Sequence, residues 1–277
     1  MKAAPFDYAA PTTLSEASKL LASAGMTTAA IAGGQSLLPM LNLRVALPGL
    51  VVDIARLEDL KGIEAARDGL RVGALTTHAA VEDGAIPGDI GRFMQRVAST
   101  ISYRTVRNHG TVGGSVALAD PAADWPGCLL ALGARVRIAG LNGARSQAID
   151  EFVRGQYATT LTADEIVVGF DLPGADTPLR WGVCKVVRKS GAFANSIAYA
   201  VSRGRGGPAT VVLAAAADRP CLLPTVADRI EADESAGEPL LAAISKDVAA
   251  HVSPNDRYLT RLHTSTVMRA VREMQNR

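Results

Sequence analysis

The stretch Ala32-Gly33-Gly34-Gln35-Ser36-Leu37-Leu38-Pro39-Met40-Leu41 decides how the rest of the chain is read. It completes an apolar run over residues 28–32 that reads as a short buried strand, which the two glycines then break. Diglycine lets the main chain come close to a ligand and adopt positive φ. Ser36 is placed to cap a helix over residues 36–43, with Pro39 in its first turn, where a missing N–H costs nothing. Strand, glycine loop and helix start together form an anion-binding concavity. Successive N–H groups converge there, and the positive end of the helix lies behind them.

A second such stretch, Thr111-Val112-Gly113-Gly114-Ser115, lies about eighty residues further on and reads as a second glycine loop after an apolar strand. Ser36 and Ser115 add small hydroxyl donors. Two matched loops suit the two phosphates of a dinucleotide. They carry neither a Walker lysine nor a G-x-G-x-x-G fingerprint. One diglycine alone reads equally well as a plain turn, and spacing does not name the ligand. Downstream, Asp120-Pro121-Ala122-Ala123-Asp124 predicts a helix start, with Asp120 as N-cap and Pro121 at the first helical position.

Working outward, Thr13 and Glu16 have capping-box spacing. Leu14, Ala17, Leu20, Leu21 and Ala24 share the apolar face of the helix that follows, and Gly25 is placed to end it. Strands are predicted over residues 50–54, 70–74 and 165–172. Thr76 or Thr77 caps a helix, residues 90–100 form another, and Asn142-Gly143 turns a hairpin between residues 135–139 and 144–149. Strands over residues 185–188, 197–203 and 209–215 follow, with a plain turn at Gly204-Arg205-Gly206-Gly207, and then a helical tail over residues 260–274. The order divides the chain into segments 1–56, 57–175 and 176–277.

The 277 residues carry a net charge of +2 and no run of like charge, which excludes a basic nucleic-acid footprint. Cys128, Cys184 and Cys221 are dispersed, as are the four histidines, including an exposed turn residue at His109. An iron–sulfur cluster or structural zinc site needs four convergent ligands, so none is expected in this chain. No signal-peptide pattern and no membrane-length apolar run is present, and a cytoplasmic protein without a membrane span is expected.

The two glycine motifs resemble the FAD motifs of the medium subunits of molybdenum hydroxylases, the carbon monoxide dehydrogenase and xanthine dehydrogenase family. Phe6-Asp7-Tyr8 with Pro11, the strand over residues 165–173, and Lys185-Val186-Val187-Arg188-Lys189-Ser190-Gly191 extend the resemblance over nearly the whole chain. It implies an α+β chain: a two-part FAD-binding domain of the vanillyl-alcohol-oxidase-like (PCMH) type, then an α+β C-terminal domain of antiparallel sheet plus helices. It implies that residues Ala32, Gly33, Gly34, Gln35, Ser36 and Leu37, with Thr111, Gly113, Gly114 and Ser115, wrap the diphosphate and ribityl chain of FAD.

By the same resemblance Asp124 accepts from ribityl or adenosine hydroxyls, Lys185 sits by the flavin ring, and Ile101, Val167 and Phe193 pack near it. A helix-terminus carboxylate is the other reading of Asp124, behind the FAD contact that its motif position favours, while Lys185 reads equally as a strand lysine and Ile101 and Val167 as ordinary core. Two positions depart from the family: Ser115 stands where Asn is usual, and Phe193 where the carbon monoxide dehydrogenase-type subunits often have Tyr.

The implied function is an oxidoreductase subunit that relays electrons, with no catalytic proton-transfer residue of its own. [2Fe–2S] clusters in a small partner subunit and a molybdenum-pterin cofactor in a large one complete a heterotrimer, and a dimer of trimers is left open. The alternatives are a stand-alone FAD-dependent oxidoreductase of the same fold and a non-enzymatic nucleotide-binding module.

Overall fold

Thr13 accepts a hydrogen bond from the Glu16 N–H at 3.3 Å and starts the helix Leu14–Leu21. The computed structural model describes residues 2–23, 25–174, 177–204, 206–232, 237–252 and 256–277. Ala24, Arg205 and the expected segment boundary at residues 175–176 lie outside them. The helix joins strand Asp7–Ala9 to Thr28–Ile31, and a second helix, Leu37–Asn42, leads on to Leu50–Asp53. Each connection carries a helix, so the three strands pair in parallel, with Leu50–Asp53 in the middle.

A five-stranded antiparallel sheet follows, in the order Ile63–Ala66, Gly69–Gly73, Ile166–Pro173, Arg135–Gly140, Gly143–Ala148. Gly143 adopts φ +106° in the predicted Asn-Gly hairpin. The central strand, Ile166–Pro173, bulges between Val167 and Gly169. Its core is built with the helices Gly88–Ala98, Val112–Leu118 and Asp124–Ala131. Phe93, Met94, Val116, Trp125, Leu129, Ile138 and Phe170 all belong to one buried cluster.

The last sheet runs Arg180–Val187, Ala194–Ser202, Ala209–Ala214, Cys221–Leu222, all antiparallel. Its central strand alternates between two cores, as a pleated strand must. Ile197, Tyr199 and Val201 join the Trp125 cluster. Ala198 and Ala200 join a separate core with the helices Pro224–Glu231, Glu238–Ala249 and Arg257–Gln275. This sheet is therefore a partition between the long C-terminal helix and the rest of the chain.

Its first strand begins at Arg180, earlier than the expected 185–188, and includes Trp181, whose ring lies 5.9 Å from that of Phe93. Gly182 is what lets the Arg257–Gln275 helix approach. A Cβ there would fall 2.0 Å from the carbonyl oxygen of Ala270. Gly182→Ala is therefore expected to destabilise the chain by about 2 kcal/mol, an ordinary overpacking cost. Urea unfolding measures this, and an unchanged midpoint contradicts the close approach.

Candidate functional site

The strand ends and glycine stretches of the first two sheets converge with the Arg180–Val187 strand around one cavity of about 510 Å³. Every site residue singled out in the sequence lines it: residues 32–37, Ile101, Thr111, Gly113, Gly114, Ser115, Asp124, Val167, Lys185 and Phe193.

The first stretch is the anion cradle. Gly34 takes φ +69°, and the helix that follows is Leu37–Asn42, starting one residue later than expected. Ser36 makes no capping bond, so its hydroxyl stays uncommitted, contrary to the capping role expected for it. Inward bonding begins only with Leu38, which donates to the Gly34 carbonyl at 3.0 Å. Among the described residues, no hydrogen bond uses the backbone amides of residues 33–37. Gly33 fixes where this loop lies, because a Cβ on it would fall 1.8 Å from the His109 carbonyl oxygen. His109 itself is exposed, as expected.

The second stretch is not a loop. Thr111 caps the helix Val112–Leu118, so Gly113 and Gly114 lie in its first turn. Their amides are already spent. Val112 donates to the Thr76 carbonyl at 3.0 Å, Gly113 to the Ala74 carbonyl at 2.9 Å, and Gly114 to Thr111 Oγ1 at 3.0 Å. The glycines serve approach instead. A Cβ at Gly113 would strike Ala74, and one at Gly114 would come 2.9 Å from Thr111 Oγ1 and 3.9 Å from the Ala32 Cβ across the gap. The expectation of two equal amide cradles is corrected: one stretch offers free N–H groups, and the other offers a thin wall facing it.

The helix predicted from Asp120 begins at Asp124. Asp120 instead closes a local turn, accepting from the Ala122 N–H at 2.8 Å. The delay puts Asp124 at the first helical position, buried in the cavity wall, with Pro126 still within the first turn.

Lys185 Nζ donates to Asp124 Oδ2 at 2.8 Å and to the Thr100 carbonyl at 3.1 Å, with both side chains over nine-tenths buried. Lys185 thus reaches the site, but as half of an ion pair rather than as a free cation. Burial pushes the Asp124 carboxyl above its ordinary range, and the Lys185 ammonium opposes that rise. Asp124 Oδ1 has no partner among the described residues. It is a buried acceptor on a residue that lines the cavity.

Ile101 and Val167 supply apolar wall, and both also pack with the main core. Phe193 stands two-thirds exposed at the cavity's edge. Arg107, itself clamped by Glu82, donates to the carbonyls of Ile101 and Ser102 at 2.8 and 3.1 Å and so fixes that wall. Sequence reading missed His78 and Trp125, which line the same cavity and bond to each other. Their positions, 47 residues apart, share no motif. The one local signal was Thr77, whose hydroxyl caps the helix that His78 opens.

Among the described residues no helix is long and apolar enough to cross a membrane.

Comparison with known proteins agrees with this geometry. Residues 4–175 match the family model described as the FAD binding domain in molybdopterin dehydrogenase. The nicotine 6-hydroxylase medium subunit of Paenarthrobacter nicotinovorans is 35% identical over 193 residues, 70% of this chain and 67% of that protein. The carbon monoxide dehydrogenase medium chain of Hydrogenophaga pseudoflava is 35% identical over 205 residues, 73% of this chain and 70% of the relative. In a solved structure of carbon monoxide dehydrogenase from that organism, one chain superposes with a TM-score of 0.91 at 29% identity, covering 100% of this chain and 99% of that one. Quinoline 2-oxidoreductase from Pseudomonas putida 86 superposes with a TM-score of 0.89 at 28% identity, covering 100% and 99%.

Removing Lys185 leaves a buried carboxylate without its cation. Lys185→Met is expected to destabilise the chain by about 3–5 kcal/mol, and Asp124→Asn added to it to restore most of that loss. Denaturant unfolding of the single and double variants checks this. Additive losses would show that the two groups do not act as a pair.

Proposed function

This chain belongs to the family of FAD-binding domains of molybdopterin dehydrogenases, and on that premise we propose that it is the electron-relay subunit of a multi-subunit molybdenum hydroxylase. The observation that carries the reading is the pairing, around one cavity, of amides at residues 33–37 and a buried Asp124 oxygen that find no partner among the described residues. A dinucleotide needs both. Its diphosphate is an array of acceptors that seeks N–H groups, and its ribityl chain is an array of hydroxyls that seeks an acceptor. FAD, when bound, accepts electrons singly and gives them up in pairs.

In this reading residues Gly33 to Leu37 hold the diphosphate, with the Ser36 hydroxyl free to join them. The thin wall at Gly113 and Gly114 lets the ligand lie close to the main chain. Thr111 acts by holding Gly114, and Ser115 supplies one hydroxyl. Asp124 Oδ1 accepts from a ribityl hydroxyl. Ile101, Val167 and Phe193 face the ring. The Lys185 ammonium neutralises Asp124 and keeps that carboxylate in place, so little net charge is directed at the ring from this pair.

Electrons would arrive from [2Fe–2S] clusters in a small subunit, themselves supplied by a molybdenum centre in a large one, and leave to an external acceptor. No acid or base in this chain is assigned a proton-transfer role.

Co-expression with its genomic neighbours tests the relay. The purified material is expected to be yellow, to contain FAD in equimolar amount, and to bring two further chains with iron–sulfur absorption. A yellow chain that purifies alone and oxidises a small molecule by itself would favour a stand-alone oxidoreductase. A colourless chain that binds no flavin, alone or in complex, would overturn the FAD reading. Gly114→Asp places a carboxylate in the gap between the two stretches and is expected to abolish FAD retention while the fold persists. Full occupancy in that variant contradicts the diphosphate assignment.

A further inference from the structure

His78 is the first residue of the helix His78–Glu82, and its own N–H donates to the Gly110 carbonyl at 2.9 Å. Its ring is turned toward Trp125, whose indole N–H donates to His78 Nδ1 at 2.9 Å. Indole nitrogen is a donor only, so Nδ1 must be unprotonated. A neutral imidazole then carries its proton on Nε2. The partner thereby determines the tautomer. Burial, and after it the charge of Arg107, lowers the His78 pKa from 6.5 to about 4, which keeps the ring neutral over the ordinary range.

Nε2–H is left over. His78 is only 6% exposed, yet Nε2 makes no hydrogen bond among the described residues. Its edge lies over Gly110, where a Cβ would come within 2.7 Å of Nε2, so the glycine is needed to admit the ring. Nε2 is not one of the fully buried atoms without a partner, so it keeps access to the cavity, where an acceptor can reach it.

The donor belongs to the wall of the cavity that His78, Gly110 and Trp125 all line. The place is specific. Gly110 adjoins Gly33, since a Cβ on Gly33 would lie 2.9 Å from the Gly110 nitrogen. Trp125 follows Asp124 in the chain. His78 thus borders both Gly110, which packs on Gly33 of the first stretch, and Trp125, the neighbour of Asp124.

We propose that His78 is a cofactor-contacting residue whose Nε2–H donates to an oxygen of the ribityl–diphosphate section of FAD, with Trp125 as the residue that holds the required tautomer. This rests on reading the cavity as an FAD site. The contact is neutral. It recognises an oxygen by direction and adds no charge to the site, unlike the arginines and lysines that commonly bind phosphate.

The test uses the full chain, with whatever subunits accompany it, stripped of flavin and titrated with FAD. His78→Phe is expected to weaken FAD binding about tenfold, the size of one good hydrogen bond. His78→Gln, whose amide can donate to the cavity and accept from Trp125, should stay within about threefold of wild type. Nitrogen-15 NMR of the wild-type imidazole provides a readout that does not depend on the variants folding. It should show the proton on Nε2 before FAD is added and a shift of that resonance on binding.

A proton found on Nδ1, an Nε2 signal unmoved by bound FAD, or a folded Phe variant that binds FAD as tightly as wild type each overturns the proposal. Wild-type protein that binds no FAD overturns the underlying reading, and this inference with it.

Discussion

Five consecutive backbone amides, residues 33–37, find no acceptor among the described residues at the wall of a cavity, and the surrounding structure is arranged around that fact. A strand that ends in a glycine turn and passes into a helix leaves N–H groups without intrahelical partners. Here the turn is held in place by the contact between Gly33 and the His109 carbonyl, and Gly34 supplies the positive φ that completes it. The second glycine stretch plays the opposite part. Its amides are consumed by Thr76, Ala74 and Thr111, and its lack of side chains keeps the facing wall close. Two stretches that look alike in sequence thus divide the work of holding a diphosphate, one by donating and one by leaving room.

The remaining wall comes from the C-terminal sheet. Lys185, on its first strand, reaches Asp124 at the start of a helix in the preceding part of the chain. A buried ion pair is weak evidence for stability, because the desolvation of both charges opposes their attraction. Its effect here is positional. It ties the sheet to the cavity, and it leaves one carboxylate oxygen satisfied and the other unpaired. The Tyr199 hydroxyl, donating to the Asp124 carbonyl at 2.9 Å, fixes the same helix turn from the neighbouring strand. The site is therefore assembled from three sheets, and no single segment contains it.

Where the sequence was informative, the signal was local. Thr13 capping its helix, Asn142-Gly143 turning its hairpin, and Gly33-Gly34 ending a strand each follow from chemistry within a few residues. The fold followed from a resemblance anchored on such motifs. The errors share a cause in contacts made from far away. Gly113 and Gly114 are poor helix formers and read as a loop, yet Thr111 caps them into a helix that Ala74 requires to be slim. Asp120 and Pro121 match a helix start, but Asp120 spends its carboxylate on its own turn, and the helix waits for Asp124. Lys185 looked like an open cation because its partner lies 61 residues earlier. For His78 the Thr77 cap marked only the helix start, since Trp125 and the folded cavity give its ring a direction.

The account depends on unequal roles for the two glycine stretches, and amide hydrogen exchange followed residue by residue, with and without FAD, measures that directly. Before FAD is added, the amides of residues 33–37 should exchange fast and those of residues 112–114 slowly. With FAD bound, residues 33–37 should become protected by at least about tenfold, the weight of one hydrogen bond, while residues 112–114 change little. Exchange at residues 33–37 that is indifferent to bound FAD would contradict the account.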